Sequence, residues 1–325
     1  MKPSSPTVIL HIGTHKTGST SIQQYLTENA SKYAAHGVLW IKDSYNLPNL
    51  INRLASQIER KQLIQDCRRN LESLSKVSEM IIFSSEGFSG SPSKMYSNNA
   101  DIVNFCQNLF KGYNVKVVVY LRRQDLFYES YYTQRIQEGY TETLEEFLSI
   151  LPLNEIRWDE VLNNFTSAFG KENLIVRPYD RSILKGNDIV EDFLTIANLN
   201  HIDQERNTPA WTNQSYSLAA LKIARTLNGT LSKEQQKTLR KILQKSNPKQ
   251  PGDSFMILPR LRRIEMMQHY EAFNKSIADS FWSGNEHLSF DASTATEIDY
   301  VDNTNNEELI RVIFKVLLSL TSPNQ

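Results

Sequence analysis

The sequence predicts an α/β protein built on a parallel, doubly wound sheet, and three observations carry that reading. Short continuous apolar runs rich in β-branched residues recur at 8–12, 80–83 and 115–121, as expected for strands buried on both faces. Stretches with apolar residues at helical spacing lie between them. The runs also break directly into polar turns, and the first and third of these turns lead into helices.

Val8, Ile9, Leu10 and Ile12 form the first strand, and Gly13 ends it. Ile22, Leu26, Ala30 and Ala34 then recur at helical spacing, giving an amphipathic helix that stops at Gly37. Residues 38–41 read as a short strand and 47–77 as mainly helical. The strand at 80–83 runs into Ser84, Ser85 and Glu86, at the strand end where open α/β sheets hold ligands. A helix over 102–110 is broken by Gly112, and 115–121 is the most strand-like run in the chain, with Arg122 and Arg123 at its carboxyl end. A helix over 125–137 ends near Gly139, and Thr141 begins another with Glu145 and Glu146 in its first turns. Residues 173–176 give one more strand before Arg177, Pro178 and Tyr179.

From there the pattern is helical: 188–197, 214–227, 232–244 and 261–281. The Pro-bearing stretches 200–213 and 247–253 read as loops. Residues 290–306 are weakly patterned. The helix at 307–320 is apolar on nearly all sides and must bury against its own chain or a partner, a second copy included. One domain over 1–290 is expected, with 291–325 as an extension.

A chain of 325 residues buries a sizeable core, and its balance of 36 basic and 36 acidic residues gives no global field to mark nucleic acid as a partner. Cys67 and Cys106, both in helical patterns, argue against a disulfide scaffold or a cysteine metal site. The opening MKPSSPTVIL has neither a signal-peptide core nor a membrane span, so a cytoplasmic location is expected.

The chain is organised around residues 7–25. A strand-to-helix loop places unpaired N–H groups and the positive end of a helix dipole at one point, ready for an anion. Ser19, Thr20 and Ser21 add hydroxyls. The nucleoside-triphosphate loop G-x-x-x-x-G-K-[ST] requires lysine after its second glycine. Ser19 occupies that position here, and the lysine is Lys16, ahead of Gly18.

The run Lys16-Thr17-Gly18-Ser19-Thr20-Ser21 resembles the 5′-phosphosulfate loop of sulfotransferases that use 3′-phosphoadenosine-5′-phosphosulfate (PAPS). A second similarity is Arg122 at a strand end followed by Ser130 in YLRRQDLFYESYY, a pair that in this family holds the 3′-phosphate. An arginine fork suits phosphate geometry, and a helix serine adds a hydroxyl. Weaker likeness extends over NLIVRPYD, residues 191–199, and residues 266–281 with Asn274. The resemblance implies a three-layer P-loop-type fold, a central parallel sheet flanked by helices with a helical C-terminal part. It also implies sulfuryl transfer from PAPS, leaving PAP, without a metal, to a hydroxyl or amine of a carbohydrate-containing acceptor.

Sulfuryl transfer needs an oriented donor, stabilised charge on the departing phosphate and a base for the acceptor proton. Lys16 and the N–H groups of residues 18–21 are candidates for the first two roles. Glu86 is the candidate base, with His15 as competitor because its ordinary pKa suits neutral pH. His11, inside the first strand, reads as a satisfied core histidine. Lys233, Lys237, Arg240, Lys241 and Lys245 form a basic helical face. Tyr128, Tyr131, Tyr132 and Tyr140 are candidates for a sugar-stacking wall, and Trp158 and Trp211 for adenine or acceptor contacts. The alternatives are a small-molecule kinase on the same loop, against which the displaced lysine and the lack of a strand-end Mg²⁺-binding aspartate speak, and a non-catalytic nucleotide-binding protein.

Overall fold

A computed structural model describes residues 5–53, 56–151, 155–202, 215–246, 257–291 and 306–321. The chain forms two compact units. One comprises Met1–Arg123, Glu155–Thr208 and Tyr270–Asp291, and the other Gln124–Asn154, Pro209–His269 and Ala292–Gln325.

In chain order the elements begin β1 (Thr7–His11), α1 (Ser19–Glu28), α2 (Ala30–Ala34), β2 (Val38–Trp40), α3 (Leu47–Arg53), α4 (Gln57–Leu74), β3 (Met80–Ser84), α5 (Asn99–Leu109) and β4 (Asn114–Leu121). They continue with α6 (Gln124–Gln137), α7 (Leu144–Ile150), α8 (Trp158–Phe169), β5 (Leu174–Pro178) and α9 (Ile189–Ile196). Last come α10 (Leu218–Asn228), α11 (Lys233–Ser246), α12 (Arg260–Phe281) and α13 (Asn306–Thr321). The helix expected from Thr141 starts later because Thr143 and Glu146 close a reciprocal capping box.

The first unit holds a 5-stranded, wholly parallel sheet in the order β2-β3-β1-β4-β5. On one face Ile9, Ile82, Val118 and Tyr120 pack with Ile22 and Leu26 of α1 and Val190 and Phe193 of α9. On the other, Phe83 meets Phe110 edge-on at 5.0 Å, and α5 packs against α8, which lies on β4 and β5. This is the expected three-layer α/β arrangement. Its central strand β1 has β3 on one side and β4 on the other, so the strand order reverses at β1/β4. Open sheets bind ligands in the crevice outside the carboxyl ends at such a reversal.

Helix α8 was not expected from the sequence, although Trp158, Val161, Leu162 and Phe165 recur at helical spacing and are all buried. The second unit is helical. In it α13 packs on α10 and α11, burying Val312 and Val316 but leaving Ile310, Ile313, Phe314 and Leu317 largely exposed. Among the described residues no helix is long and apolar enough to cross a membrane.

Candidate anion-binding site

The loop after β1 is folded by its own polar groups. The Thr14 hydroxyl donates to the Tyr120 carbonyl at 3.0 Å, and the Thr17 hydroxyl donates to the Thr14 carbonyl at 2.5 Å. Thr17, fully buried, thus spends its side chain on the loop itself. Gly18 precedes α1 at φ 80°, and Lys16 stands at φ 68°, a left-handed conformation rarely taken by a residue with a side chain.

Helix α1 has no side-chain cap at its N-terminus. The N–H groups of Ser21 and Ile22 reach the Gly18 carbonyl at 2.9 and 3.3 Å, whereas those of Ser19 and Thr20 have no backbone acceptor among the described residues. The Ser19 hydroxyl is buried without a hydrogen-bond partner among the described residues. The N–H groups left without a backbone acceptor at the start of α1 are therefore those of Ser19 and Thr20, while the Ser21 N–H closes the helical turn.

Arg122, half-buried at the end of β4, donates from Nη1 to the Lys16 carbonyl at 2.8 Å, and its guanidinium lies 5.6 Å from the Tyr179 ring centroid. The carbonyl of Arg122 accepts from Trp158 Nε1 at 2.9 Å. Trp158 is 1% exposed, so it serves as the buried support of the arginine and not as an adenine platform. Tyr96 meets the Trp158 ring edge-on at 5.0 Å and has its hydroxyl 3.2 Å from His15 Nδ1, completing an aromatic wall behind the loop. Trp211 lies outside the described residues.

Glu86 opens a short 3₁₀ turn just past β3, and its Oε2 accepts from Gln23 Nε2 at 3.4 Å. The adjacent strands β3, β1 and β4 thus carry Glu86, the loop and Arg122 at their carboxyl ends, the gathering that the sequence led us to expect. For His15, burial first and the Lys16 charge second lower the pKa to about 3. The argument that this imidazole titrates near neutrality does not hold in the folded chain. Ser130, half-buried on α6, belongs to the second unit, as do the tyrosines. There Tyr128 and Tyr132 are buried, the Tyr132 hydroxyl donates to the Glu142 carbonyl at 2.9 Å, and Arg135 lies 3.9 Å from the Tyr140 ring centroid. Tyr128 and Tyr132 are core and offer no sugar platform. On α11, Lys233, Lys237, Lys241 and Lys245 are exposed.

No protein-family model matches the chain. It is similar to an uncharacterized protein of Archaeoglobus fulgidus, 30% identical over 117 residues, 36% of this chain and 31% of that protein. The matched stretch thus spans about a third of each.

Sequence reading passed over Gln23 and Tyr96. Gln23 was hidden on the polar side of an amphipathic helix, and Tyr96 sits in a turn at φ 61°, where periodicity carries no information.

Proposed function

We propose that the protein transfers a sulfuryl group from PAPS to a hydroxyl or amine, the acceptor being a glycan or glycoconjugate. The observation that carries this reading is the loop: Lys16 held in a left-handed turn ahead of an uncapped helix whose buried Ser19 hydroxyl lacks a partner. An anion bound there meets the helix dipole, the N–H groups of Ser19 and Thr20 and the Ser19 hydroxyl, so these residues fit a 5′-phosphate. When bound, PAPS supplies the sulfuryl group and a phosphate leaving group.

Lys16 stabilises the charge that grows on the departing phosphate. Arg122 holds the 3′-phosphate, its planar guanidinium matching phosphate geometry at the end of β4. Glu86 takes the acceptor proton. Its carboxylate is half-buried at a strand end next to the loop, whereas His15 is too weak a base once buried. Calorimetry in chelator tests the reading: PAP should bind more tightly than AMP or ATP, and equal affinity for AMP would remove the 3′-phosphate assignment and the function with it.

A further inference from the structure

Beneath the loop lies a buried polar chain that the proposed chemistry does not use. His11, at the end of β1, is completely buried, edge-on to Tyr120 at 5.8 Å and tilted against Phe193 at 5.4 Å. Its Nδ1 is 2.7 Å from Ser84 Oγ, yet its Nε2 has no partner among the described residues. The sequence led us to expect a satisfied core histidine. Half of the ring is satisfied, and an unpaired buried nitrogen costs about 1 to 3 kcal/mol.

The protonation pattern follows from the neighbours. Gln23 Nε2 faces three acceptors, Ser84 Oγ and the Ser84 carbonyl at 3.3 Å each and Glu86 Oε2 at 3.4 Å. With Gln23 donating to Ser84 Oγ, the Ser84 hydroxyl hydrogen is available to His11 Nδ1. Burial lowers the His11 pKa to about 3, so the ring is neutral, and a Ser84 hydrogen donated to Nδ1 corresponds to the tautomer with its single proton on Nε2.

Ser19 Oγ, also buried without a partner among the described residues, lies on the same side of Gly13. A Cβ built on Gly13 would lie 2.7 Å from Ser19 Oγ and 3.0 Å from His11 Nε2, so both atoms border the space that the missing side chain leaves open. We propose that His11 is a positioning residue for the anion site: its Nε2–H is donated to Ser19 Oγ when an anion arrives, turning the serine hydrogen outward to the ligand. Each donor then points toward the loop, from Gln23 through Ser84 and His11 to Ser19, and hydrogen bonds aligned in this way strengthen one another. Glycine at position 13 is what lets the two side chains meet.

The proposal rests on the loop being the donor site, and it is tested with both PAP and inorganic pyrophosphate. Nitrogen-15 spectra should place the His11 proton on Nε2, and either anion should shift that N–H signal in the wild type but not in Ser19→Ala. His11→Phe and Ser19→Ala should each weaken binding roughly tenfold, the double variant no more than either one, and His11→Gln should recover part of the loss by restoring a donor. A proton on Nδ1, an Nε2–H signal that neither anion moves, or additive losses in the double variant would overturn the proposal. If pyrophosphate moves the signal but PAP binds no better than AMP, the transferase reading fails and the relay stands. If PAP binds preferentially and His11 does not respond, the reverse holds. If neither anion binds, both fail.

Discussion

The guanidinium of Arg122 reaches the main-chain carbonyl of Lys16 at 2.8 Å, joining the end of β4 to the loop that follows β1. One arginine thereby both shapes the loop and brings a fixed positive charge to the reversal point of the sheet. Arg122→Ala should lower PAP affinity by about 1.5 to 3 kcal/mol, the range for hydrogen bonds to charged groups. Unchanged calorimetric affinity would remove the arginine from the site.

Lys16 keeps a left-handed backbone that glycine tolerates better. Lys16→Gly should therefore melt no lower than the wild type, while Lys16→Ala and Lys16→Gly both lose about 10² to 10³ in turnover. Loss of PAP binding with turnover preserved at saturation would show that the lysine holds only the ground state.

Glu86→Gln keeps the side-chain shape and removes its basicity. PAP binding should stay near normal while turnover falls by roughly 10² to 10⁴. His15→Asn in the same assay should retain most activity, because the buried imidazole is already a poor base. The opposite pattern would transfer the role to His15.

Gly13 has no room for a side chain on the face where Ser19 and His11 converge. Gly13→Ala should cost about 1 to 3 kcal/mol of stability through overpacking and should also impair anion binding. Thermal melts read alongside pyrophosphate titrations check both effects.

Burial keeps His11 neutral down to about 3, against an ordinary 6.5. Between those values the unfolded chain binds more protons than the folded one, so the contribution is intact above 6.5 and is lost as pH falls toward 3. The slope reaches about 1.4 kcal/mol per pH unit for one proton. His15 adds a loss of the same sign. Denaturant unfolding near neutrality and near pH ~4.5 should show His11→Phe losing less stability on acidification than the wild type.

The strands and the loop were legible because each is a local pattern. Continuous apolar runs marked β1, β3 and β4, and Gly18 with its serine and threonine neighbours marked the turn. Arg122 and Glu86 could be placed at strand ends for the same reason. Helix α8 was equally local but went unread, and its Trp158 proved to be a buried support for Arg122.

By itself, then, the sequence determined the parallel sheet, the strand-to-helix loop and the order in which charged residues follow the strands, since backbone periodicity and turn chemistry are set by near neighbours. Only the tertiary structure decided the strand order, the interleaving of the two units and the partners of each polar atom. Those depend on residues far apart in the chain: Ser84 meets His11 because β3 pairs with β1, and Trp158 meets Arg122 because α8 packs on β4. The same long-range packing leaves His11 Nε2 and Ser19 Oγ buried without partners, because burial removes the water that would otherwise satisfy them.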